Sequence, residues 1–163
     1  MREHAANGAG RGGPPRVSRL AGYGDARHSN NVPRAEAFAR LFEAVHEGVY
    51  IGSLGEHTAT IAANPHLKLN FGYPSEASED QVRPFEAARF ADPRARIAFL
   101  ERLANDGALT NYLLRLKRVD GTTVWVEITA RAEVPQHNGS IRIEALVRDV
   151  SERKKLEDQS RDL

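Results

Sequence analysis

The 163-residue sequence predicts an α+β domain in which an antiparallel sheet is covered by helices mainly on one face. Three observations carry that prediction. From Thr110 onward, three segments alternate apolar and polar residues and are joined by Asp120-Gly121 and Asn138-Gly139. Both pairs tolerate positive φ and so signal hairpins. Two shorter strand-like segments, residues 49–53 and 58–63, come earlier around a turn at Gly55-Glu56. Between the two groups lies a helical block opened at Asn64-Pro65 and again at Asp92-Pro93, where a side-chain cap precedes a proline at the first helical position.

In chain order, residues 1–32 hold six of the thirteen glycines, Pro14-Pro15, and five arginines against Glu3 and Asp25. Such a segment buries too little apolar surface to offset its ordering entropy, and it is expected to be a disordered, solvated tail. A flanking helix is expected over residues 33–47, with Pro33 at its start and Glu47-Gly48 ending it. Phe38, Leu41, Phe42 and Val45 fall at i, i+3, i+4 and i+7 and form an apolar stripe. That stripe needs a cover, either the sheet or the same helix of a second subunit. A compact domain is expected over 48–150. After Asn64-Pro65 a short helix ends at Gly72-Tyr73-Pro74, and residues 75–89 mix acidic residues with Pro84, which suits short helical turns. The longer helix from Arg94 to Asn105 sets Ile97, Leu100 and Ala104 on one face with Phe99 and Leu103 alongside, and Asp106-Gly107 closes it.

The three later strands divide cleanly. Tyr112, Leu114 and Leu116 oppose Asn111, Arg115 and Lys117. Val124, Val126, Ile128 and Ala130 oppose Trp125, Glu127, Thr129 and Arg131, and Ile141, Ile143, Ala145 and Val147 oppose Arg142, Glu144, Leu146 and Arg148. Trp125 and Leu146 stand among charged neighbours, so something apolar is expected over that outer face. The chain then runs directly into an exit helix over 151–163, with Asp149 placed to cap it and Glu152 adding negative charge to its first turn.

Composition narrows the function. A hydrophobic content of 40% and a charged content of 28% are globular values, and a formal charge of +1 gives no electrostatic case for nucleic acid or a membrane surface. No apolar run approaches the ~20 residues that span a bilayer, and no apolar signal core opens the chain, so a cytoplasmic location is expected. The absence of cysteine removes disulfides, thiolate nucleophiles and cysteine-ligated metal centres. The histidines, at positions 4, 28, 46, 57, 66 and 137, have no recognisable spacing to a carboxylate. The glycines of residues 8–13 lack the strand and the Lys-Ser/Thr of a phosphate loop. Catalysis is therefore not expected.

The motifs Ala63-Asn64-Pro65 with Phe71-Gly72-Tyr73, Lys117-Arg118-Val119-Asp120-Gly121, Trp125-Val126-Glu127, and Asp149-Val150-Ser151-Glu152-Arg153-Lys154 come in that order. Together they resemble the Per-Arnt-Sim (PAS) sensor domains over about residues 36–158. Each is weak alone; the set at these spacings is specific. The resemblance implies a five-stranded antiparallel sheet in the order 2-1-5-4-3, with helices enclosing a pocket on its inner face. Flavin-adduct members need a cysteine, which is missing here. Haem-binding members usually take a histidine from the long helix before the last three strands, and residues 94–105 contain none; His66 is the only histidine near the expected pocket. A small apolar ligand or non-covalently held flavin stays compatible with the sequence, lined by Ile97, Leu100, Leu114, Leu116, Val126 and Ile143. The alternative is that these residues simply fill a core.

The resemblance also reads the exit helix as a linker to an output module such as a histidine kinase, with Asp149, Ser151 and Glu152 forming the relay junction. Read plainly, the same segment is a solvated terminal helix. Leu156 and Leu163, seven apart, suit the start of a heptad seam. The expectation is a homodimeric sensory domain pairing through Phe38, Leu41, Phe42, Val45 and the exit helix. A ligand-free pairing scaffold is the alternative, and an enzyme on a cone-shaped α+β fold a more distant one.

Overall fold

The computed structural model describes residues 21–133 and 139–161, with residues 21–30 described in backbone only. Helix α1 (Ala21–Ala44) is followed by strands β1 (Gly48–Gly55) and β2 (Ala59–Ala63), helix α2 (Pro65–Phe71), 3₁₀ turns at Glu79–Gln81 and Ala87–Arg89, and helix α3 (Pro93–Asp106). Strands β3 (Ala108–Lys117), β4 (Thr123–Glu133) and β5 (Ser140–Asp149) come next, and helix α4 (Ser151–Arg161) closes the series. The chain divides into two units, Met1–Phe38 and Ala39–Leu163, and α1 runs through the boundary.

The five strands form one antiparallel sheet in the order β2-β1-β5-β4-β3, as the resemblance implies. The period-two pattern decides which face is buried. Val124, Val126, Ile128 and Ala130 of β4 and Ile141, Ile143, Ala145 and Val147 of β5 are all buried, while their alternates face outward. Asn111 adopts φ 50°, a left-handed value that asparagine tolerates, where β3 bulges between Leu109 and Tyr112. Register on either side of the bulge still points Leu109, Leu114 and Leu116 inward.

Helix termini follow the local chemistry. The Asn64 side chain accepts a hydrogen bond from Leu67 N at 3.1 Å, Pro65 takes the first position of α2, and Gly72 ends it at φ 74°. There the N–H of Tyr73 closes on Lys68 O at 2.9 Å, the wide loop that a left-handed glycine permits. Asp92 caps α3 by accepting from Arg94 N at 3.0 Å.

Two expectations need correction. The first helix begins at Ala21 and carries Pro33 inside it, so residues 21–32 are helical where a disordered tail was expected. Locally, a proline opening a helix and one lying within it look alike. On α3 the inward face is Phe99 and Leu103, one turn apart and fully buried, with Leu100 half-buried beside them. Ile97 is 56% exposed and lies on the solvent side. His137, Asn138 and Leu163 lie outside the described residues.

Candidate functional site

The space between helices and sheet is occupied by side chains. Leu114, Leu116, Val126 and Ile143, named from the sequence as pocket residues, are buried in one cluster with Leu67, Phe71 and Leu103. Aromatic rings fill the middle: Phe85 lies 5.3 Å from both Tyr50 and Phe99, and Phe99 lies 5.7 Å from Tyr112 and 6.3 Å from Phe90. Offset and edge contacts at these separations are favourable beyond simple area burial. Ile97 contributes nothing to this interior. Burial raises the Tyr50 phenol above the usual tyrosine value; the Thr60 hydroxyl, 3.5 Å away, offsets part of that. Tyr73 is raised by burial as well, partly offset as its hydroxyl oxygen accepts from Arg83 N at 3.1 Å. Among the described residues, no group of three or more His, Asp or Glu side chains forms a metal-ligand set. His66 instead meets His46 edge to face, with ring centres 6.0 Å apart.

The second region is the joint between β5 and α4. Strand β5 ends at Asp149, one residue intervenes, and α4 starts at Ser151. That single residue, Val150, is buried and donates its N–H to Trp125 O at 2.8 Å. Trp125 N in turn donates to Ser151 Oγ at 3.0 Å, and Ser151 N donates to Asp149 Oδ1 at 2.9 Å. Three hydrogen bonds thus fasten three consecutive residues, two of them to the neighbouring strand. Asp149 also pairs with Arg118 at 3.8 Å. Arg118 reaches Asn70 O at 3.1 Å and Thr123 O at 2.7 Å, so one guanidinium touches the end of α2, the β3–β4 turn and the joint. That turn is held by Asp120, whose carboxyl is kept below its usual value by hydrogen bonds from the Thr122 hydroxyl and N–H. Glu152 sits exposed in the first turn of α4.

On the outer sheet face Trp125 lies between two cations, Arg115 at 5.9 Å and Lys154 of α4 at 5.3 Å from its ring centre. Arg153 of α4 pairs with Glu127. Farther along the same face, Val49, Ile51, Thr129 and Leu146 line a shallow groove of about 580 Å³. On α1, Leu41 is 64% and Phe38 66% exposed, Val45 is exposed and Phe42 half-buried. The stripe read from the sequence is therefore open to solvent.

Sequence reasoning recognised Asn64 as a cap and missed its larger part. Its side chain, fully buried, also accepts from Val49 N at 2.8 Å and donates to Phe42 O at 3.2 Å and Glu47 O at 2.8 Å. It also missed Arg118, although that residue stood inside a quoted motif. Nothing in a linear string says which carbonyls a guanidinium will reach.

Known structures share this fold. The PAS domain of a protein from Colwellia psychrerythraea superposes with a TM-score of 0.54 at 18% identity, covering 72% of this chain and 98% of that one. A sensory box histidine kinase/response regulator structure from Burkholderia thailandensis E264 gives 0.56 at 22% identity, over 76% and 92% of the two chains. The fold is that of a PAS domain. An RNA-binding light-oxygen-voltage receptor gives 0.61 at 22% identity over 78% of this chain, which spans 36% of that longer one. No family model matches the sequence, and no curated protein matches it. Identities this low carry the PAS fold and nothing finer. Among the described residues no helix is long and apolar enough to cross a membrane.

Proposed function

We propose that this chain is a non-catalytic sensory and dimerisation domain of the PAS type, acting in cytoplasmic signal transduction. A change in the interior or at the dimer interface passes along β5 into α4 and on to an output module such as a histidine kinase. The observation that carries this reading is the joint itself. Val150 and Ser151, which follow β5 without a break, are both hydrogen-bonded to Trp125 of β4, and this supports a joint in which the end of the sheet and the start of α4 move together. Solved PAS-fold structures named for sensor histidine kinases support the choice of output. Phe38, Leu41, Phe42 and Val45 form the homodimer contact, together with α4, whose Leu156 is 57% exposed.

A ligand-free pairing scaffold is the second reading, favoured by the ring cluster of Tyr50, Phe85, Phe90, Phe99 and Tyr112 inside the domain. Native mass spectrometry with absorption spectroscopy on the purified protein separates them. A dimer carrying a bound mass or a chromophore supports sensing. An empty dimer supports scaffolding. A monomer at concentrations of tens of micromolar overturns the dimerisation claim shared by both.

A further inference from the structure

Five charged residues of alternating sign cross the outer sheet face from the α1–β1 connector to the exit helix. Glu47 of the connector binds Arg148 of β5 through one carboxylate oxygen, at 2.7 Å to Nη2 and 3.3 Å to Nε. Arg148 stands directly opposite Glu127 in the β4–β5 register. Glu127 pairs with Arg153 of α4, and Arg153 lies 3.7 Å from Glu157 one turn on. The inbound end is anchored too, since the buried Asn64 amide holds the carbonyls of both Phe42 and Glu47.

We propose that Glu47 sets how firmly α4 is docked by holding Arg148 away from Glu127. The physical argument is competition for one carboxylate. Side chains on directly opposed residues of neighbouring strands lie close enough to interact, so Arg148 is the natural cross-strand partner of Glu127. It is engaged with Glu47 instead, which leaves Glu127 to Arg153. Glu127 is the more enclosed member, its side chain 15% exposed, whereas Arg148 and Arg153 are both largely exposed and free to swing. When the connector moves and Glu47 withdraws, Arg148 turns to Glu127 and α4 loses part of its grip on the sheet. Helix α4 buries no residue of its own, so its docking rests on this pair, the Lys154–Trp125 contact and the joint. Movement of the segment before β1 is thereby felt in α4 without passing through the interior.

This inference rests on reading α4 as the outgoing element, but its test needs no bound ligand, and comparing all variants at one protein concentration in the same oligomeric state keeps it distinct from the dimer contact proposed for α4. Trp125 is the chain's only tryptophan and lies under Lys154, so its quenching by acrylamide reports α4 docking. Amide exchange at residues 153–158 in the full chain gives a second readout. The expected result for Glu47→Gln is about two- to fivefold faster exchange, the range set by exposed ion pairs, with more efficient quenching. In an Arg148→Ala background the same substitution is expected to change neither readout, and Arg148→Ala alone to leave exchange at or below the native rate. Three results overturn the proposal: unchanged exchange in Glu47→Gln, a Glu47→Gln effect that persists without Arg148, or an Arg148→Ala variant that itself loosens α4.

Discussion

Replacing Asn64 by alanine removes a buried side chain that makes four hydrogen bonds. It accepts from Val49 N at 2.8 Å and Leu67 N at 3.1 Å, and it donates to Glu47 O at 2.8 Å and Phe42 O at 3.2 Å. Each bond contributes about 1 kcal/mol net, and a buried donor left without a partner costs about 1–3 kcal/mol. The loss of the α2 cap falls within that sum, since capping alone is worth about 1 kcal/mol. Asn64→Ala is therefore expected to destabilise the domain by about 3–5 kcal/mol, out of a typical total of about 5–15. Urea unfolding followed by Trp125 fluorescence and far-ultraviolet circular dichroism measures it. Asn64→Ser is a calibrating variant: serine restores the cap but is too short to bridge to Val49 and Glu47, so it is expected to recover about 1 kcal/mol. A loss below about 1 kcal/mol in Asn64→Ala would refute the claim that one amide ties α1, β1 and α2 together.

Gly52→Ala is expected to cost about 1–3 kcal/mol, because an added Cβ would lie 2.4 Å from the Tyr50 hydroxyl and 2.5 Å from Ala59 O, and a backbone carbonyl cannot yield cheaply; thermal melting checks it. Tyr50 sets an alkaline limit. Its folded-state pKa is raised by burial, so its contribution to stability is fully present below the unfolded value of about 10 and is lost as pH rises toward the folded value. Tyr50→Phe should flatten the fall in stability above pH 10, seen as a smaller drop in urea midpoint; Tyr73, raised in the same direction, leaves a residual slope.

The sheet was legible because β4, and β5 from Ile141 to Arg148, alternate inward and outward, and a one-residue slip would have turned Val126 and Ile143 outward. Caps at Asn64 and Asp92 were legible because their chemistry is local. What was misread has a common cause. On α3, Ile97 and Phe99 compete for the inward position with similar hydrophobicity, and the outcome depends on where Phe85 and Tyr112 already stand. Asp149 and Ser151 were singled out from the sequence, yet two of the fastenings at this joint come from Trp125 backbone atoms and one from Arg118. Backbone partners across a sheet follow from register, which a string of residue types does not state.

The account depends on strand β5 and helix α4 moving as one piece through residue 150. Backbone ¹⁵N relaxation across Val147–Glu157 measures that directly. A fastened joint predicts order parameters near ~0.85 at Val150 and Ser151, equal to those of the strand before them. Values falling below about 0.6 at those two residues, with rigid values on either side, would mean a swivel and would contradict it.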